Sequence, residues 1–226
     1  MIDPATVLLA LQHGDSFFPS GAVAFSWGLE SLRNDDLIDD VADVAAFVGE
    51  QLRHRWAPFD RPALAASHRA GDDLDRVVEV DTLVEAMSLA HDFREGSRRA
   101  GAALLGVHGK LGTAGAGAYR GLVRDGRAPG HLAVIQGLVW RGAGLNEPTA
   151  AAVSAHAACV GLLSAALRLG LVGHVGCQRI LTDLRVEVAV IVATPAPALE
   201  EMSTGVPETD VAAMRHETRT ARLFVT

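Results

Sequence analysis

From Pro148 to Leu167 the chain runs PTAAAVSAHAACVGLLSAAL, without one Asp, Glu, Lys or Arg. That length suffices to span a bilayer. Alanine, however, is only weakly apolar, and Thr149, Ser154, His156 and Ser164 interrupt the run. Neither end carries the Trp or Tyr of an interfacial belt. The segment therefore reads as a buried helix, apolar all round, so other helices must surround it. Asn146 and Pro148 start it, and Gly170 suits its C-terminal cap.

Helical periodicity continues in both directions from this segment. Upstream, Val41, Val44, Ala45, Val48 and Leu52 recur at spacings of three and four, opposite Asp40, Asp43, Glu50 and Arg53. Asp39 or Asp40 supplies the N-cap. Asp60-Arg61-Pro62 predicts a further helix start. Leu74, Val77, Val78 and Val84 open a helix that is read through Met87 and Phe93. His131–Arg141 is an apolar helix. Downstream, Gln178 to about Val192 predicts a helix with a β-branched end, and Asp210 caps a last one. Gly14–Gly21 and Pro195–Glu208 read as loops, and Gly106–Gly121 as a mobile connection or a tight helix crossing. No hairpin signal separates two alternating runs. The expectation is an all-α fold: one compact domain over residues 1–226, with about eight to ten helices around the Ala/Leu-rich central one.

Composition narrows the function classes. The chain has 226 residues, 49% hydrophobic and 21% charged, so it is not a disordered chain. Its net charge of −7 argues against a general nucleic-acid binder. Two Cys fit a reducing compartment rather than a disulfide framework. The start, Met1-Ile2-Asp3-Pro4, lacks the basic residues and apolar run of a secretory signal. A cytoplasmic protein without a membrane span is expected.

Most catalytic motifs fail on inspection. Gly109-Lys110 ends like a phosphate loop, but Leu111 stands where a magnesium-binding Ser or Thr belongs. Gly115-Ala116-Gly117 has Arg120 at the third glycine position of a dinucleotide fingerprint. His216-Glu217 lacks a second zinc ligand, because residue 220 is Thr. His91-Asp92 is a more serious candidate. Helical metal phosphohydrolases use such a pair with distant His and Asp ligands, here His54 or His68 and Asp125 or Asp183. His156-x-x-Cys159 and His174-x-x-Cys177 together count to a tetrahedral metal set. Against it, a Cys in an Ala-rich helix usually serves as a small apolar residue. The remaining His residues show no ligand spacing. The acidic run Glu30–Asp43 reads as a solvated face with helix caps. The Arg-bearing C-terminal segment, residues 210–226 with an apolar Leu223-Phe224 tip, reads equally as a docking helix or a helix packed on its own domain.

Three blocks in order, with a midsection, carry a resemblance. The first holds Leu8-Leu9-Ala10-Leu11-Gln12, Phe18-Pro19-Ser20-Gly21 and Phe25-Ser26-Trp27-Gly28-Leu29-Glu30. The second is Gly173-His174-Val175-Gly176-Cys177-Gln178-Arg179. The last is Met214-Arg215-His216-Glu217-Thr218 with Ala221-Arg222-Leu223-Phe224. Between them Arg94-Glu95-Gly96-Ser97-Arg98-Arg99, with Leu104-Leu105, also fits. In this order they resemble the urease accessory protein UreF family over essentially the whole chain. Val23, Ser20, Cys177 and Val225-Thr226 depart from the family pattern.

The resemblance implies a non-catalytic, helical, dimeric chaperone. Its partners would be UreD (also called UreH), the GTPase UreG and apo-urease. It would hold no tight cofactor: nickel would be in transit, and GTP would be bound by UreG. Carried onto this sequence, the partner contacts would be Glu30, Gln178, Arg215, His216, Glu217, Arg222, Leu223 and Phe224. The His-Cys pairs are not a requirement of the family.

Overall fold

The structure is a computed structural model that describes residues 3–15, 17–19 and 26–216. Among them every regular element is helical. Helix α1 spans Pro4–Gly14, α2 Leu29–Asn34 and α3 Val41–Gln51. A π-helical stretch, Leu52–Asp60, leads into α4, Arg61–Ala70. Then come α5 (Leu74–Met87), α6 (His91–Leu111), α7 (Ala116–Arg124), α8 (Leu132–Ala143), α9 (Glu147–Arg168) and α10 (His174–Ala193). A short 3₁₀ turn at Leu199–Glu201 precedes α11, Pro207–His216.

Helix α9 is the predicted central helix. The Asn146 side chain accepts the Thr149 N–H at 3.0 Å, Pro148 occupies the first turn, and Gly170 takes φ +74° just beyond the end. Its length and apolarity are sufficient to cross a membrane. Here it is instead the wall shared by two hydrophobic clusters. One gathers α2, α3, α9 and α10 around Leu29, Val48, Leu162 and Ile180. The other gathers α4, α5, α6 and α8 around Phe59, Leu64, Val80, Leu104 and Ile135. Each fully buried aliphatic side chain contributes roughly 1.5–3 kcal/mol relative to exposure.

Close crossings fix the second cluster. Helices α4 and α8 touch backbone to backbone at Gly137, where a Cβ would lie 2.3 Å from the Leu64 carbonyl oxygen. Ser67 Oγ donates to Val134 O across the same crossing at 2.8 Å. Gly101 of α6 likewise admits the Gly130 carbonyl, and Gly142 of α8 admits Ala114.

Several local details differ from the expectation. Asp60 precedes α4 as expected, but not as a cap: the chain runs helical from Val41 to Ala70, and the Asp60 side chain makes no capping bond. The π stretch absorbs Pro58, and its freed carbonyls are used from outside. His54 O accepts Gly205 N–H at 2.9 Å and Pro58 O accepts Ser203 N–H at 3.1 Å. The predicted helix through Met87 and Phe93 is two, because Ser88 turns extended and its Oγ donates to Val84 O. Gly106–Gly121 is the end of α6, a turn with left-handed Gly112 and Gly115, and the start of α7. Helices α10 and α11 begin earlier than expected, at His174 and Pro207, and the β-branched end of α10 stays helical. The N-terminal α1, capped by Asp3, had no counterpart in the expectation.

Candidate partner-docking site

The Ser26–Glu30 block meets the last helix. Trp27 has φ +52° and Gly28 φ +84°, a left-handed pair that turns the chain into α2. For Trp this conformation is strained. For Gly28 it is doubly required: a Cβ there would stand 3.0 Å from Thr209 Cγ2 and 3.2 Å from the Thr209 carbonyl oxygen. Thr209 is buried on α11 and accepts the Gln51 Nε2–H at 2.8 Å, tying α11 to the end of α3. Ala212 and Ala213 of α11 are buried, and the Trp27 ring lies 5.5 Å from that of Phe93. Arg215 reaches Asp35 at 3.7 Å with its side chain 67% exposed. The last helix therefore packs on its own domain through one face and presents Arg215 on another.

The other predicted contacts fall differently. Glu30 is only 6% exposed and turns inward from α2. Gln178 is exposed near the start of α10, beside the equally exposed Val175. The backbone of His216 ends α11. Glu217, Arg222, Leu223 and Phe224 lie outside the described residues, as do Ser20 and Val23.

The metal sets suggested by spacing do not assemble. Among the described residues no three His, Cys, Asp or Glu side chains gather where they could hold a metal ion. Cys159 and Cys177 are free thiols within the first apolar cluster, while His156 and His174 are exposed. Burial pushes the Cys159 thiol up to about 11, so it stays protonated and inert. The phosphohydrolase set fails in the same way. His91 is exposed, and His68 is buried with Nε2 on the Leu145 carbonyl at 2.8 Å. His54, Asp125 and Asp183 sit exposed on separate elements.

Two buried polar centres escaped the sequence reading. Asp81 of α5 is fully buried and accepts Tyr119 O–H at 2.7 Å, Gly130 N–H at 2.6 Å and His131 N–H at 2.9 Å. It caps the N-terminus of α8 from a distant helix. Burial raises its pKa, and its three donors offset only part of that. Next to it His131 is fully buried, with Nε2 2.7 Å from Glu85 Oε2. Burial lowers the His131 pKa. Burial also pushes Glu85 upward, but its hydrogen bonds from Arg98 and His131 win, so its pKa falls.

The second centre lines a cavity of about 240 Å³ between the two clusters, bordered by His13, Phe18, Trp56, Gln136 and Trp140. The His13 ring stacks on that of His108 at 5.1 Å. His13 Nε2, His108 Nε2 and Trp140 Nε1 are buried without a hydrogen-bond partner among the described residues. Desolvation, then the neighbouring His13, depresses the His108 pKa to about 4. His13 and Trp140 line the cavity, and a polar lining of this kind accommodates buried water.

The fold, the left-handed Trp27-Gly28 turn and the docked last helix can now be set beside known proteins. The UreF family model matches residues 38–185. A urease accessory protein UreF of Trichodesmium erythraeum is 31% identical over 98% of this chain and 97% of its own length. That of Paenarthrobacter aurescens is 33% identical over 98% of this chain and 99% of its own. That of Kocuria rhizophila is 31% identical, with both chains covered fully. By family model and by full-length likeness, this helical chain belongs to the urease accessory protein UreF family.

Proposed function

We propose that this protein is a non-catalytic scaffold for building the nickel centre of urease. It acts in the cytoplasm as a homodimer, together with UreD, the GTPase UreG and apo-urease. The observation that carries this reading is the near-complete coverage in both directions between this chain and proteins named urease accessory protein UreF.

The division of labour follows from the residues. This chain lacks a phosphate loop, so GTP is bound and hydrolysed by UreG. Nickel is cargo that passes through the assembly without a tight resting place on this chain. Arg215 and Gln178, exposed on α11 and α10, offer polar contacts to partners. Glu30 is buried on α2. His216, Glu217, Arg222, Leu223 and Phe224 are the further partner contacts of this reading.

The deciding experiment is urease activity in cells carrying the cognate urease cluster, with this gene deleted and then restored, at fixed nickel. The expected result is activity that needs both this chain and UreG. Full activity in the deletion strain would overturn the reading.

A further inference from the structure

We propose that the groove between α6 and α7 is a docking surface for an acidic α-helix of a protein partner. Gly109, Gly117 and Gly121 floor this groove, and Arg120 and Arg124 stand along it.

Two independent observations carry this. The first is charge. Residues 99–127 hold five cations, Arg99, Lys110, Arg120, Arg124 and Arg127, against one acid, Asp125, in a chain whose net charge is −7. All five are exposed. Arg124 pairs with the adjacent Asp125 at 3.1 Å, and the other four form no ion pair among the described residues. Arg120 and Arg124 line the groove itself, and a basic stretch of this kind on an acidic protein steers and orients an acidic partner.

The second is glycine placed where the fold has no use for it. Gly101, Gly137 and Gly142 each admit a neighbouring backbone atom that a Cβ would strike. Gly106, Gly117 and Gly121 sit inside helices with ordinary negative φ, and a Cβ there would meet nothing within 4 Å. At Gly109 it would meet only Arg120 Cδ at 3.9 Å. Helix-interior glycine is unfavourable relative to alanine. Three of these, Gly109, Gly117 and Gly121, lie on one groove and leave room for a backbone from outside to approach closely, as small residues do between packed helices. A helix with small residues on its contact face and Asp or Glu beside them complements both features. Nucleic acid would also answer the charge, but a phosphate backbone does not require a glycine floor.

This surface lies away from the α2–α11 corner, and its test is separate from that of the urease reading. The full-length protein is titrated with a labelled alanine-based helical peptide bearing Glu at three- and four-residue spacing. The same peptide with Lys, and a DNA duplex, serve as comparisons, read by fluorescence anisotropy at low and physiological salt. The expected result is binding of the Glu peptide alone, weakening with salt. R120E/R124E should weaken it at least tenfold. Gly117→Leu should do the same with its circular dichroism unchanged, because a Cβ at that position meets nothing within 4 Å. Arg185→Glu, an exposed site on α10, should leave binding as it is. Absence of peptide binding, an equal loss in Arg185→Glu, or duplex binding as tight as peptide binding would each overturn the proposal. A change of oligomeric state in R120E/R124E would overturn it in favour of contact between copies of this chain. The urease assay contains no peptide, so either result can fail alone.

Discussion

Asp81 shows how much rests on single buried side chains. Three donors converge on one carboxylate in a site closed to water. Removing it strands all three, and each stranded buried donor costs about 1–3 kcal/mol. Asp81→Ala should therefore lower unfolding stability by roughly 3 kcal/mol or more. Tyr119→Phe, which deletes one donor and strands none, should cost nearer ~1 kcal/mol. Urea titration of the two variants checks the ratio. His108 gives a pH dependence of definite sign. Its folded pKa of about 4 lies below the ordinary 6.5, so the folded state favours the neutral ring. Stability from this group is complete above pH 6.5 and is lost as pH falls towards 4. At pH 5 the loss is about 2 kcal/mol. His108→Gln should flatten that part of the stability-versus-pH curve; an unchanged slope would show that other groups set it. Neither residue was legible in the sequence. Asp81 and Gly130 lie 49 positions apart, and an isolated Asp on a helix carries no mark of a distant cap. His13, His68, His108 and His131 read like any scattered histidines, because burial is decided by elements that come later.

At the level of helices the pattern was more informative. Helix α9 could be read directly, since the alanine run is bounded by Asn146-Glu147-Pro148 at its start and Gly170 at its end. The π stretch could not. Pro58 and Asp60-Arg61-Pro62 are local stop and start signals. They are overruled by Ser203 and Gly205, whose N–H groups satisfy the spare carbonyls of the wider turn. The glycines divide in a way the sequence does not distinguish at all. Gly137→Ala drives a methyl group into the Leu64 carbonyl and should destabilise by about 2–3 kcal/mol. Gly121→Ala enters open space on an exposed helix and should stabilise by up to ~1 kcal/mol. Thermal midpoints of the two variants should move in opposite directions. A fall for both would mean that Gly121 is packed against something in the isolated protein.

For the molecule as a whole, the placement of α11 alters how its tail should be tested. A cut after Asp210 removes Ala212 and Ala213 from beside Trp27 and Phe93, so it damages the core along with any docking surface. A cut after His216 keeps the packed helix. That shorter protein should retain its thermal midpoint within about 2 °C and lose co-purification with UreD, while Gly28→Val, which clashes with Thr209, should lose both. Retained UreD binding after the His216 cut would place the contact elsewhere. Because α9 supplies Ala150 and Val153 to one cluster and Ala151 to Ala166 to the other, neither can close before its part of α9 has been made. At 5–20 residues per second, the ribosome displays the apolar faces of α3, α4, α5 and α8 for on the order of ten seconds before their shared backing emerges. During that interval the nascent chain is a client for holding factors, and the rate of translation through the alanine codons of α9 becomes a determinant of yield.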